Sequence, residues 1–202
     1  MPRSKPLLAW EPLPYIVLFV AALALSTARP DSLPVVFWSV APVAALALVY
    51  FILSLARERR LRESNPNGNG ELSSLAGLEI RQIEGQAGAP VTTVAESGRH
   101  QPEIDLIRIH EGDRAVLVPR ATRWLGRRYR VGVELVAGDR VRRAGFLPEA
   151  AEKRFASSLD ELRARGVYVS VPARITGTAR PFGVDLELAR VIETLEGELS
   201  SR

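Results

Sequence analysis

The 202-residue sequence has no cysteine, one methionine, two histidines and only two lysines, Lys5 and Lys153, against 25 arginines. Without cysteine there are no disulfides, iron–sulfur clusters or cysteine-based zinc sites, a composition that suits a reducing compartment. His100 and His110 stand alone, with no HExxH-like spacing, so neither a zinc site nor a histidine-based triad has material to build on. The phosphate-cradling glycine loop is missing too: Gly85-Gln86-Ala87-Gly88 runs into Ala-Pro and opens no helix with a Lys-Ser/Thr. Glu103 and Asp105 alternate as they would on one face of a strand, but nothing beside them completes an acid and base pair. These absences turn the expectation from catalysis towards interaction, with no cofactor and no metal.

The sharpest absence is of charge. Residues 35–55 contain no charged side chain over 21 positions, about 31 Å of helix and so the thickness of a bilayer core. Residues 12–28 form a second uncharged run of 17, with Trp10 and Tyr15 where interface aromatics are expected. The pattern predicts a transmembrane hairpin with spans at about 13–28 and 35–55. A cleaved signal peptide over 1–28 is the rival reading. Arg3 and Lys5 before the runs, and Arg57, Arg59, Arg60 and Arg62 after them, place both termini in the cytoplasm by the positive-inside bias. Localisation is therefore expected at a bacterial inner membrane, multi-pass. The polar groups in the runs are hydroxyls such as Ser26, Thr27 and Ser39, which can bond back to helix carbonyls, so an anchor is favoured over a conduit.

What is present lies downstream. Residues 63–74, with Ser64-Asn65-Pro66-Asn67-Gly68-Asn69-Gly70, read as a linker, and 75–202 as one β-rich domain. Leu78 to Ile83 suggests a short strand, and residues 85–102 an irregular stretch with Val91 to Val94 as its apolar content. Ile104 to Ile109 and Ala115 to Val118 look like two strands of a hairpin around Glu111-Gly112-Asp113. Tyr129, Val131, Val133 and Leu135 alternate with polar positions, and Ala137-Gly138-Asp139 turns into Arg140 to Leu147. Two short helical segments follow, one opening at Pro148 and one at Ser158 with Glu161. Val167 to Ile175 is a strand whose Pro172 argues for an edge or bulge, Val184 to Leu188 is a last strand, and Arg190 to Glu198 reads as a short helix. The fold class is α+β.

Val131 and Val133 before the turn, Gly145-Phe146-Leu147-Pro148 with Ala151 on the helix, and the strand ending in Ile175-Thr176-Gly177 resemble the HIRAN domain. The resemblance covers about seventy-five residues, roughly 115–188, and implies a small β-barrel of SH3-like or HIRAN-like kind with one or two short helices. It further implies binding of single-stranded DNA ends. Where that family carries an Asn-Pro and Asp-rich segment, this chain reads Arg123-Trp124-Leu125-Gly126-Arg127-Arg128-Tyr129, a departure in a segment associated with ligand contact.

Nine arginines fall between residues 114 and 143, against Glu134 and Asp139. Arginine interleaved with Trp124 and Tyr129 suits a phosphate backbone with stacked bases, and equally suits anionic lipid headgroups. Arg120, Arg123, Arg127, Arg128 and Arg130, with Trp124, are the candidate anion-binding residues. The bland alternative is a solvated rim, on a domain that recruits another membrane protein or self-associates. The candidate partners are thus the lipid bilayer, single-stranded nucleic acid or anionic headgroups, and another membrane protein.

Overall fold

The computed structural model describes residues 4, 7, 10, 12–27, 34–63, 70–86, 88–123 and 126–191. Two helices, α1 (Leu13–Thr27) and α2 (Pro34–Glu63), precede a mixed domain. Its elements in order are β1 (Glu79–Gln82), β2 (Val91–Thr93), α3 (Gln101–Ile109), β3 (Arg114–Ala121), β4 (Arg130–Ala137), β5 (Arg140–Phe146), α4 (Glu149–Ala164), β6 (Val167–Thr176) and β7 (Gly183–Glu187).

The expected membrane spans are corrected. Among the described residues, no helix is long and apolar enough to cross a membrane. At 15 residues, α1 rises about 22 Å, well short of a hydrocarbon core of about 30 Å. The 30-residue α2 ends in the charged sequence ARERRLRE. The transmembrane hairpin and the multi-pass inner-membrane placement therefore fall. What stands is a helical hairpin, with Tyr15 of α1 edge-to-face on Phe51 of α2 at 5.0 Å between centroids. The hydroxyls of Ser26, Thr27 and Ser39 do bond back to carbonyls of their own helices. The expected link at 29–33, residues 64–69 of the expected linker, and the C-terminal segment beyond Val191 lie outside the described residues.

The seven-stranded sheet runs β2-β7-β6-β3-β4-β5, with β1 parallel to the start of β6 and the other pairings antiparallel. Its two ends meet. Just past β2, Ala95 exchanges both backbone hydrogen bonds with Phe146 of β5, at 2.8 and 3.0 Å, so the six strands of the path close on themselves. Two irregularities make the closure. The β4–β5 register shifts beside Gly145, where φ is 150° and a Cβ would sit 2.3 Å from the Ala95 carbonyl oxygen, so only glycine lets the strands approach. The β3–β4 register shifts between Val118 and Ala121, across Pro119, which has no donor for the ladder, and Arg120, which is left-handed at φ 58°.

β6 holds the barrel together, and its proline marks a change of partner. Residues up to Ser170 pair with β1 and those from Ala173 with β7, while Arg114 to Leu117 of β3 line the opposite edge as far as Pro172. The inner core gathers Leu117, Val133, Leu135, Leu147, Val169 and Leu186, closed by Ile104 and Ile107 of α3 and by Phe155 and Leu159 of α4.

Two local expectations give way to packing. Residues 101–109 are helical, not a strand. Pro102 sits in the first turn, where its missing N–H costs nothing, and Ile104 and Ile107 fall three apart on one buried face. Glu103 and Asp105 are therefore on a helix, where residues two apart do not face each other. The helical region after Pro148 is one 16-residue helix running through Ser158, because Phe155, Leu159 and Leu162 form a continuous buried stripe. A third difference concerns the outer face of β4. Gly70 to Leu78, the start of which had the chemistry of a linker, lies over that side of the sheet, and Leu72 is buried with Val116, Val118, Val141 and Tyr168.

Candidate anion-binding site

The loop joining β3 to β4 and the ends of those strands carry all the candidate residues. Trp124 lies outside the described residues. The structure brings the arginines to one end of the barrel, beside the entry to α4, and there gives nearly every one of them a carboxylate of this same chain.

Arg120 holds Asp160 of α4 in a two-point contact, Nε to Oδ1 at 2.6 Å and Nη2 to Oδ2 at 2.7 Å. Asp160 is buried and Arg120 half exposed. This fork-on-carboxylate geometry is the strongest form of the ion pair, and it fixes the residue on which β3 bulges. The left-handed backbone of Arg120 costs about 1 kcal/mol for a side chain of this kind, a strain sustained by the tie to α4.

Arg130, at the start of β4, is only 13% exposed and uses three nitrogens at once. Its Nη1 donates to Glu96 at 2.6 Å, its Nε to Glu152 of α4 at 2.9 Å and its Nη2 to the Leu147 carbonyl at 2.7 Å. Glu96 is shared with Arg123, which donates to it through Nε at 3.0 Å. Burial pushes the Glu96 carboxyl up, but hydrogen bonds and charge from Arg123 and Arg130 outweigh that and hold it below its ordinary value. Like Arg120, Glu96 is left-handed, at φ 67°. Arg128 reaches Glu149 at 3.3 Å with both side chains well exposed, and Arg127 is half-buried and also partnered.

One more arginine of the basic run, outside the candidate set, belongs to the same network of ion pairs. Arg143 of β5 is buried against Glu134 of β4, donating to it through Nε at 2.8 Å and to the Gly70 carbonyl at 3.0 Å. Burial pushes the Glu134 carboxyl up, with Arg143 opposing. Gly132 makes room for this pair, since a Cβ there would lie 2.8 Å from the Arg143 guanidinium carbon. The guanidiniums of Arg130 and Arg143 stand 5.0 and 5.2 Å from the centre of the Phe146 ring, the residue that closes the barrel. The alternation of β4 marked position 134 as solvent-facing; only the 70–78 segment, distant in sequence, covers it.

The electrostatic result differs from the linear count. Along residues 114–143 the arginines outnumber the acids nine to two. In space Glu96, Glu149, Glu152 and Asp160, all from outside that run, are bonded to its members. Arg114 is also spent internally, on Ser170 and the Ile83 carbonyl. Among the described residues, no group of three or more His, Cys, Asp or Glu side chains is placed to hold a metal. Comparisons with protein-family models, curated proteins and solved structures found no match to this chain.

Proposed function

We propose that the chain is an interaction protein whose barrel recruits another protein, and whose arginines hold the barrel together instead of presenting a free cationic surface. One observation carries this reading: Arg120, Arg123, Arg128 and Arg130 are each bonded to a carboxylate of the same chain. A phosphate backbone would have to displace those carboxylates one by one. For Arg130, with three nitrogens engaged and little exposure, displacement means opening the barrel end. The HIRAN-like reading of residues 115–188 belongs to the same proposal, supported by the closed barrel with α4 between β5 and β6, and it does not by itself name a ligand.

The outer rim favours a second reading, anion capture. Arg123 and Arg128 are 50% and 60% exposed, and the Arg128 contact is long, so a phosphate could take them at small cost.

The two readings separate in a salt series. The full-length protein is titrated with single-stranded DNA and with anionic vesicles at increasing salt, alongside Arg123→Glu/Arg128→Glu. The recruitment reading expects weak binding to both probes and no more than a twofold effect of the charge reversal. Salt-steep binding to either probe, lost on charge reversal, would replace it with anion capture.

A further inference from the structure

We infer that the outer face of α2 is a docking seam for a second copy of this chain, crossed antiparallel about Ala45. Exposed apolar positions on α2 recur with a seven-residue spacing in two registers: Val35, Pro42 and Val49, and three residues on, Trp38, Ala45 and Ile52. That is the a/d pattern of a helix made to pack on another helix, and all six are exposed. The inward side of α2 is already used, with Ala47 buried and Phe51 on Tyr15. The seam is therefore a second stripe, additional to the one that builds the hairpin.

The area matches such a partner. Eight large apolar side chains of α2 are exposed among the described residues, from 47% for Leu48 to 79% for Val35. Val35, Trp38, Val49 and Ile52 lie on the seam and Leu46, Leu48 and Leu53 border it; at roughly 100 Å² apiece these seven offer on the order of 700 Å², close to the share each partner contributes to a stable interface and above the few hundred Å² that monomers usually leave uncovered. The face also has little to desolvate. Among the described side chains its one hydroxyl, that of Ser39, is bonded at 2.5 Å to the Val35 carbonyl of the same helix.

The seam is self-complementary only in one direction. A two-fold axis at the small residue Ala45 lets the helices approach closely at their crossing point and sets Trp38 of one copy beside Ile52 of the other. It also keeps the two ARERRLRE ends apart, each of which carries four arginines and two glutamates, whereas a parallel pairing would bring like charge together. This interface is independent of the reading given for the barrel.

The chain has no native cysteine, so single cysteines report the geometry directly. Full-length Ala45→Cys is oxidised at low protein concentration, in parallel with Trp38→Cys, Ile52→Cys, an equal mixture of those two, and Lys153→Cys on α4 as the control. The expected result is a disulfide dimer for Ala45→Cys and for the mixture, but not for Trp38→Cys, Ile52→Cys or Lys153→Cys alone, since a bridge needs Cα atoms within about 7 Å. Sedimentation equilibrium of the cysteine-free protein is expected to give a dimer, weakened on the order of 100-fold by Val49→Glu/Ile52→Glu. Bridging of Trp38→Cys and Ile52→Cys alone, a monomer in sedimentation, or uptake of the hairpin into lipid vesicles as a monomer would each overturn the inference. Ala45→Cys is a conservative change, so its failure to bridge in a folded protein counts against the seam even if the glutamate variant misfolds.

Discussion

The two parts of this molecule treat their surfaces in opposite ways. The barrel domain takes a basic sequence and neutralises it from within: Arg143 lies buried on Glu134, and Arg120 and Arg130 tie β3 and β4 to α4 and to Glu96. The hairpin takes an apolar sequence and leaves much of it uncovered, with Phe19 and Leu46 both 69% exposed. A closed barrel offers inner and outer faces on which distant segments can converge, whereas two helices have only one shared face to bury. Charge is therefore a structural material in the barrel, and apolar surface is an unmet demand in the hairpin.

The contrast can be broken most sharply at the buried pair. Arg143→Ala leaves the buried Glu134 carboxyl without its partner inside the β-domain, and urea denaturation of the full chain should show a loss of about 3–5 kcal/mol. The double change Glu134→Leu/Arg143→Met should recover most of it, since a buried pair replaced by apolar residues of similar volume is close to neutral. If the single change is harmless, charge is not a building material here.

A smaller effect is expected at the bulge. Asp160→Ala removes both hydrogen bonds that hold Arg120 left-handed and should cost about 2 kcal/mol in the same measurement, because the lost acceptor is a buried carboxylate. It should also raise amide exchange in β3 near Ala121. Combined with Arg120→Gly, which accepts φ 58° without strain, the loss should shrink.

The smallest effect is a pH dependence. The Glu96 carboxyl is held below its ordinary 4.5, so its contribution is fully present above about 4.5 and is lost as pH falls through the depressed folded value. His100 is held below 6.5 by burial first and by Arg143 next, which adds a loss in the same direction as pH drops from 6.5 through its lower folded value. Acid titration followed by near-UV circular dichroism should show both steps. Glu96→Gln should flatten the lower one and His100→Gln the upper one. Persistence of the lower step in Glu96→Gln would mean that another carboxylate drives it.

Much of the barrel could be read from residue order alone. The turn at Ala137-Gly138-Asp139 and the unbroken alternation from Val167 to Ile175 are local, and local signals survive because neighbouring residues fix them. The stretch at 104–109 could not be read that way. Its β-branched residues favour a strand in isolation, and only the buried face against the barrel makes it α3. The arginine cluster was visible as composition, but its partners were not. Asp160 is 40 residues from Arg120 and Glu96 is 34 from Arg130, separations that no spacing rule connects. Nor did any local sign set Arg143 apart from its neighbours, although Glu134 inside a strongly apolar strand was the one hint that a buried partner was needed.

By itself, then, the sequence determined the main hairpin of the sheet, the strand from Val167 and the long uncharged stretch that α2 contains. These follow from periodicity, turn chemistry and the absence of charge, all of which act over a few residues. Tertiary structure alone decided that the sheet closes through Ala95 and Phe146, that the segment after residue 69 covers a face of the barrel, and that the arginines are consumed within the chain. Closure and ion pairing join residues far apart along the chain, and their free energy exists only once the backbone has brought them together.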